Sequence, residues 1–180
     1  NEANGCSGSL NINVNEPMAL TATTATVPVV CNGENNGTIT VTPSGGVTPY
    51  EYSIDGGTTW QAGNTFTVAA GTYTITIRDF NGCTRTENVN VTEPALLTAA
   101  SVNGNATCDG GNDGIITVNA TGGNTGYTYS IDGVNFQASN VFNVAPGNYT
   151  VTVKDNLGCS TTFNTTVGLT NNLAVTPQRD

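Results

Sequence analysis

Hydrophobic and polar residues alternate along short segments of this chain, and turns rich in Gly and Asn separate those segments. The alternation is clearest where Tyr73, Ile75 and Ile77 share one face and threonines occupy the other. A period of two residues is typical of a half-buried β-strand. In the first half of the chain the pattern predicts seven strands, at 20–29, 37–42, 50–54, 59–61, 65–68, 72–78 and 84–91.

The same pattern occurs twice. Residues 31–83 align with residues 108–159 across a single one-residue gap, with 29 identities in 52 aligned pairs. The repeat period is 77 residues from Cys6 to Cys83, so the sequence around Cys6 matches the end of an earlier copy. We expect a remnant at 1–19, complete repeats at 20–95 and 96–176, and a tail at 177–180.

Short strands with turns every 8–12 residues predict an all-β fold of tandem Ig-like antiparallel β-sandwiches. Another Greek-key sandwich of similar size is the alternative. Tyr73 and Tyr149 each follow a Gly-containing turn into a strand, which suits a tyrosine corner. The 32 Thr, 25 Asn and 22 Gly residues agree with strands and tight turns.

Charge and composition exclude several classes of function. The chain has 13 acidic and 4 basic residues, a net charge of −9, and no histidine. It therefore lacks the basic patch that nucleic-acid binding needs. Without histidine a Ser-His-Asp triad is impossible, and no apolar run approaches the ~20 residues that span a bilayer. We expect no enzyme, no nucleic-acid partner and no membrane insertion.

Each complete repeat contains two cysteines, which predicts one disulfide closing each sandwich. The expected pairs are Cys31–Cys83 and Cys108–Cys159, with Cys6 unpaired within this sequence. A loop of about 52 residues would contribute roughly 4 kcal/mol in the chain-entropy model. Disulfides indicate an oxidising compartment, so we expect an extracellular protein.

The repeat resembles a known family. The first copy reads Cys-x-Gly-x-Asn-x-Gly-x-Ile-Thr-Val, then Gly-Gly, then Tyr-x-Tyr-Ser-Ile-Asp-Gly, Phe-x-Val-Ala and a closing Gly-Cys. This pattern is similar to the SprB repeat, a tandem module of large surface adhesins in Bacteroidota. The resemblance implies type IX secretion, location at the outer surface of a Gram-negative cell, and a role in adhesion or gliding motility.

Calcium is the one cofactor to consider. Candidate oxygen ligands lie beside turns at Asp79, Asn81 and Asp155, and further acids near the cysteines are Asp109 and Asp113. Ca²⁺ prefers six to eight oxygen ligands. However, Asp and Asn are common in turns for conformational reasons, and Asp55 and Asp132 share that interpretation.

Two functions remain, a passive spacer and a ligand-binding module. In the first, the chain is an extended spacer and display segment whose partners are neighbouring repeats, since Pro94 makes the junction at 91–97 short and stiff. In the second, it binds a surface polysaccharide or substratum. Trp60 is a candidate for stacking on sugars, although it and its counterpart Phe136 also suit a hydrophobic hairpin anchor.

Overall fold

The structure is a computed structural model that describes residues 9–107 and 111–170. In these residues all the regular secondary structure is β-strand, and the β-branched residues Thr, Val and Ile form most of it. The strands are β1 (Thr21–Val27), β2 (Gly37–Ser44), β3 (Glu51–Ser53), β4 (Thr65–Val68), β5 (Gly71–Arg78), β6 (Thr84–Val91), β7 (Thr98–Gly104), β8 (Gly114–Thr121), β9 (Thr128–Ser130), β10 (Val141–Val144), β11 (Gly147–Lys154) and β12 (Ser160–Val167).

Both sequence repeats have the same sheet topology. The first contains a sheet of order β1-β2-β4 and a sheet of order β3-β5-β6. The second repeats these orders as β7-β8-β10 and β9-β11-β12. The pairings for which a register is defined are antiparallel, for example β11 with β12 from Gly147↔Val167 to Lys154↔Ser160. The predicted all-β fold of tandem Ig-like sandwiches is confirmed.

Equivalent side chains fill the two cores. In the first repeat Ile39 and Val41 of β2 are fully buried, as are Ile75 and Ile77 of β5. In the second repeat the corresponding residues are buried to the same degree, and they are Ile116, Val118, Val151 and Val153. The period-two alternation therefore identified the buried face correctly.

The structure has six strands per repeat in its described residues, whereas the pattern predicted seven. The segment predicted at 59–61 forms only an isolated bridge, in which Tyr52 and Gln61 exchange two backbone hydrogen bonds of 2.9 Å. Immediately afterwards the Gln61 side chain donates to the carbonyl oxygens of Gly63 and Thr65. These bonds bend the backbone and end the pairing after one residue.

By compactness the chain divides into two units. Of the described residues, unit 1 takes those in Asn1–Thr26, Ile39–Phe66 and Thr72–Val89. Unit 2 takes those in Val27–Thr38, Thr67–Gly71 and Asn90–Asp180. The segment Val27–Thr38, which belongs to the first sequence repeat, thus counts with the second unit.

The predicted disulfide pairs are wrong. Cys31 is bonded to Cys159, with a Cα–Cα distance of 5.6 Å, and Cys83 is free and exposed. Both bonded cysteines lie in unit 2. Cys6 and Cys108 lie outside the described residues. Because Cys159 is already bonded to Cys31, it does not pair with Cys108.

The length of β6 explains why Cys31 and Cys83 do not meet. Cys83 directly precedes the first residue of β6, whereas Gly37, near Cys31, packs against Val91 at the other end of that strand. Eight residues of extended chain span about 25 Å. A disulfide needs Cα atoms within about 7 Å. Two cysteines at opposite ends of one sandwich therefore cannot close it.

In the part of the chain that the structure describes, no helix is long and apolar enough to cross a membrane.

Candidate binding cleft and the acidic turns

A cleft on unit 1 combines aromatic, charged and amide side chains. It has a volume of about 580 Å³ and lies where β3 and β5 pair, at the register Glu51↔Arg78. The lining residues are Pro49, Tyr50, Glu51, Ala62, Arg78, Asp79, Phe80, Asn81 and Gly82. The cleft is built by the start of β3 and by the turn that follows β5.

Arg78 fixes the charge of the cleft wall. Its guanidinium Nε donates to Glu51 Oε2 at 3.1 Å, and its Cζ lies 4.2 Å from the centroid of the Trp60 ring. The side chain of Arg78 is 37% exposed and that of Glu51 is 46% exposed, so solvent screens this ion pair and it contributes little to stability. Its effect is to hold a cation and a carboxylate side by side at the cleft.

Two aromatic residues flank these charges and differ in exposure. The Tyr50 hydroxyl donates to the carbonyl oxygen of Gly45 at 2.6 Å, which anchors its ring to the preceding turn. Phe80 is 71% exposed, and its backbone amide donates to Val47 O at 2.9 Å. A fixed tyrosine and an exposed phenylalanine beside polar groups can bind a ligand that has both apolar and hydroxyl faces.

Unit 2 has the same tyrosine anchor and cation–aromatic pair, but other residues stand in place of Glu51 and Phe80. The Tyr127 hydroxyl donates to Gly122 O at 2.7 Å, and Lys154 Nζ lies 4.2 Å from the Phe136 ring centroid. However, Asn156 aligns with Phe80, and Thr128 aligns with Glu51. The aromatic–cation pair is thus common to both repeats, whereas the carboxylate and the exposed phenylalanine are particular to the first.

The contacts of Trp60 favour the packing interpretation over sugar stacking. Its indole Nε1 donates to Gly57 O at 2.9 Å, and the ring is half-buried. Arg78 covers one ring face. The indole therefore closes the hairpin beside the cleft, and in unit 2 Lys154 covers the Phe136 ring as Arg78 covers that of Trp60.

Asp55 and Asp132 hold the tight turns together, as the turn interpretation predicts. Asp55 accepts from the Thr59 hydroxyl at 2.6 Å, from the Thr59 amide at 2.9 Å and from the Ser53 hydroxyl at 2.7 Å. These bonds, led by those from Thr59, lower the pKa of Asp55 to about 2. Hydrogen bonds from Asn135 lower the pKa of Asp132 in the same way.

Asp79 and Asp155 are buried carboxylates whose oxygens face backbone amides. Asp155 accepts from the amides of Asn124 (2.8 Å), Leu157 (3.0 Å) and Cys159 (2.9 Å). Burial acts to raise the pKa of Asp155, but the hydrogen bonds from Asn124 and Cys159 outweigh it, so the pKa lies below its ordinary value. These carboxylates stabilise the turns that precede Cys83 and Cys159.

The same balance holds for Asp79. Burial acts to raise its pKa, and hydrogen bonds from the Val47 and Cys83 amides, at 3.0 and 2.8 Å, lower the pKa overall. Ca²⁺ ligands need oxygen lone pairs directed at the ion. At Asp79 and Asp155 amide donors already occupy these directions.

The remaining calcium candidates are not brought together. Asp113 accepts from the amide and hydroxyl of Thr107, and those bonds lower its pKa. Asn81 is exposed at the cleft, and Asp109 lies outside the described residues. Across residues 9–107 and 111–170 no group of three or more Asp, Glu, Cys or His side chains could hold a metal ion.

Sequence reasoning identified one tyrosine anchor and missed others. Tyr149 donates to Ala145 O at 2.7 Å, as predicted for a tyrosine corner. The sequence pattern did not lead us to predict the anchors at Tyr50 and Tyr127, although both stand five residues after the first Gly of a Gly-Gly pair. That fixed spacing in both repeats was the available signal.

The comparison with protein families finds one match in each repeat. The model described as SprB repeat matches residues 23–59 and 100–136, at equivalent places in the two copies. Each copy thus matches the SprB repeat once. Together with the tandem Ig-like sandwiches, these matches support a repeat module of a surface adhesin. No curated protein matches this sequence.

Among solved structures, this chain is similar to a C-terminal 282-residue fragment of intimin in complex with the intimin-binding domain of the translocated intimin receptor. Identity is 17%, coverage is 86% of this chain and 66% of that chain, and the TM-score is 0.40. Domains 4 and 5 of the S-layer protein SbsC are 19% identical, with coverage of 87% of this chain and 100% of that chain and a TM-score of 0.39. The four N-terminal Ig domains of Dscam1 isoform 6.44 are 17% identical, with coverage of 74% of this chain and 40% of that chain and a TM-score of 0.34. The chain spans less than two thirds of the intimin and Dscam1 chains.

Proposed function

We propose that this chain is a non-enzymatic repeat segment of a large secreted cell-surface adhesin, where it acts as an extended spacer and display module. The observation that carries the proposal is the duplication of one SprB-type sandwich with the same structural chemistry in each copy. The shared acids are used in turns, and the shared tyrosines anchor turns. A module repeated for its scaffold suits length and display more than chemistry.

The resemblance to SprB adhesins extends this proposal to the cell. We place the protein at the outer surface of a Gram-negative Bacteroidota cell, after type IX secretion, with a part in adhesion and gliding motility. Its partners are then neighbouring repeats and the substratum. We retain 20–95 and 96–176 as the domain boundaries of the two repeats.

The junction between the repeats supports a stiff spacer. Pro94 fixes its own φ and restricts Glu93 to extended geometry. Leu97 is only 6% exposed, so the chain enters the core of unit 2 three residues after Pro94. No flexible Gly/Ser run intervenes.

Small-angle scattering of the 180-residue chain tests the spacer role. Two sandwiches in line, each with strands of 7–9 residues plus loops, give an expected maximum dimension of about 70–80 Å. A maximum dimension near 50 Å would contradict an extended segment. A Pro94→Gly variant is compared with the unmodified chain after reduction of the Cys31–Cys159 bond, because that bond also links the two repeats. The substitution keeps both sandwiches and loosens the junction, so we expect it to broaden the distance distribution.

Binding of a surface glycan is the second candidate, and the cleft at Tyr50 is the observation that favours it. The exposed Phe80 ring lies beside Glu51, Arg78 and Asn81, so one apolar face and several hydrogen-bonding groups line a single concave surface. These are the groups that recognise a sugar ring and its hydroxyls.

A glycan array probed with the two-repeat chain distinguishes the two functions. A binding module gives selective signals that Phe80→Ala reduces at least about tenfold, because the exposed ring supplies the apolar contact. Val134→Ala is the matched control, since Val134 is 79% exposed and lies outside the cleft. No selective binding by the unmodified chain would leave the spacer role alone.

A further inference from the structure

Unit 2 holds a cysteine-bearing loop, Val27–Thr38, that belongs by sequence to the preceding repeat. We call this segment the cysteine loop. Besides the Cys31–Cys159 bond, the Asn32 side chain donates to Pro94 O at 3.0 Å. The Gly33 amide donates to Glu93 Oε2 at 2.7 Å. The contacts thus combine one covalent bond with hydrogen bonds to a Glu-Pro dipeptide.

A further hydrogen bond and an apolar residue complete this surface. The Asn124 side chain donates to Val30 O at 3.1 Å. Leu97, with Cys159, lines the small groove beside Cys31. We call Glu93, Pro94, Leu97 and Cys159 the docking surface of unit 2.

Unit 1 carries the same docking surface at the repeat spacing. The equivalents of its four members are Glu16, Pro17, Leu20 and Cys83. They belong to the described part of unit 1. In both copies the Glu-Pro pair precedes the segment that matches the SprB model, at 23–59 and 100–136.

The backbone that supports the two surfaces is the same. The Cys83 amide donates to Asp79 Oδ1 at 2.8 Å, and the Cys159 amide donates to Asp155 Oδ1 at 2.9 Å. The Asp79 amide donates to Cys83 O, and the Asp155 amide to Cys159 O, both at 3.0 Å. The turn that presents the sulfur is therefore already formed in unit 1.

The two Gly-Gly turns also hold the Glu-Pro segments identically. The Gly46 amide donates to Met18 O at 2.7 Å, and the Gly123 amide donates to Ala95 O at 2.7 Å. Each preceding glycine packs directly on a backbone carbonyl, Gly45 on Ala19 and Gly122 on Leu96. Both elements of the surface are thus set by the fold of unit 1 itself.

The two docking surfaces differ in how deeply their residues are buried. Cys159 is 8% exposed and Leu97 is 6% exposed, whereas Cys83 is exposed and Leu20 is half-buried. Among the described residues, a cysteine loop covers this surface in unit 2, whereas none covers it in unit 1.

We propose that the docking surface of unit 1 binds the cysteine loop of another SprB repeat and forms a disulfide with it through Cys83. The occupant is a loop of the Val27–Thr38 type, since that is what the equivalent surface holds in this structure. One contact is lost, because Val47 stands where Asn124 donates in unit 2. The carboxylate of Glu16, the carbonyl of Pro17 and the thiol of Cys83 remain.

Bond formation needs an oxidant, and a low-molecular-weight disulfide such as oxidised glutathione is sufficient. The two cysteine thiols lose two protons and two electrons and form one S–S bond, while the oxidant is cleaved to two thiols. As a consequence, the first cysteine of each repeat bonds to the second cysteine of the following repeat. These disulfides link consecutive repeats covalently, and the proposed cross-link does not depend on the ligand or the adhesive role.

The test uses the full chain with Cys6→Ser and Cys108→Ser, so that Cys83 is its one free thiol, and a synthetic peptide of residues 27–38. Protein and peptide are equilibrated in a glutathione redox buffer, and the adducts are located by mass spectrometry of a non-reduced digest. A scrambled peptide of the same composition measures non-specific exchange. The Cys83→Ser variant controls for attack on Cys31–Cys159.

We expect the native-sequence peptide to occupy Cys83 at least about tenfold more than the scrambled peptide, and Glu16→Ala to remove most of that preference by deleting a charge-assisted hydrogen bond. Equal occupancy by the two peptides would overturn the proposal. A bond between Cys83 and Cys6 of the same molecule in the unmodified, oxidised chain would overturn it as well.

Discussion

Removing the Cys31–Cys159 bond should destabilise unit 2 and leave unit 1 unchanged. The perturbation is the double variant Cys31→Ser/Cys159→Ser, and the matched control is Cys83→Ser, which alters an exposed free thiol. The sequence-based pairing predicts a different outcome, because the double variant would break both Cys31–Cys83 and Cys108–Cys159 and so destabilise both sandwiches. The two variants therefore discriminate directly between the observed and the expected pairing.

The loop length sets the magnitude. The bond closes a sequence separation of 128 residues, which corresponds to about 5 kcal/mol in the chain-entropy model. If unit 1 stays folded while unit 2 unfolds, only about 80 residues of the loop gain freedom, and the value falls to roughly 4.5 kcal/mol. The logarithmic dependence on length makes the two values nearly equal. With an m-value of about 2 kcal/mol/M in urea, the midpoint of unit 2 should fall by ~2 M.

Two spectroscopic probes separate the units. Trp60 is the one tryptophan of the chain and lies in unit 1, so its fluorescence follows unit 1 alone, while far-UV circular dichroism follows both. In the double variant we expect the Trp60 midpoint to stay in place and a second dichroism transition to move to lower urea. In Cys83→Ser neither should move. A shift of the Trp60 midpoint in either variant, or an unchanged dichroism transition in the double variant, would refute the observed pairing.

Three further perturbations have expected outcomes. Gly122→Ala should cost about 3 kcal/mol in urea unfolding, because its Cβ would lie 2.0 Å from Leu96 O at a φ of +77°, whereas Gly133→Ala, in open space, should cost about 1 kcal/mol. The pKa of Asp55 is lowered to about 2, so its stabilising effect is complete above pH 4 and lost as pH falls toward 2; Asp55→Asn should flatten this part of the pH–stability curve. Millimolar Ca²⁺ should leave the thermal midpoint within about 1 °C, because Asp155 already accepts from three backbone amides; a larger rise would restore the calcium hypothesis.

The fold was predictable because its determinants are local. Alternation of the Tyr73-Thr-Ile-Thr-Ile type fixes which face of a strand is buried, and it placed Ile75 and Ile77 in the core correctly. The role of Asp55 in its turn was predictable for the same reason, since all its hydrogen bonds reach residues within four positions. Such signals depend on sequence neighbours and need no knowledge of the tertiary arrangement.

The cleft depends on pairing between distant segments, and the sequence pattern did not reveal it. Glu51 meets Arg78 through the register of β3 on β5, and Arg78 covers Trp60 from a third segment. None of these three residues has an unusual local context. Alignment of the repeats placed Arg78 opposite Lys154 and Trp60 opposite Phe136, which indicated matched positions but not their contact.

The wrong disulfide prediction came from treating each repeat as a closed unit. Cysteine counting assumes that both partners of a bond lie in one domain, and two cysteines per copy satisfied that assumption. The relevant quantity is the position of each cysteine along the sandwich: Cys83 precedes β6, and the cysteine loop lies at the far end of that strand. Since a strand of eight residues is about 25 Å long, a bond within the repeat is geometrically excluded, and a bond to the following repeat becomes the available one. In a tandem array the repeating sequence unit and the covalently closed unit can therefore be offset, and here Cys31 lies outside the repeat whose sandwich it ties.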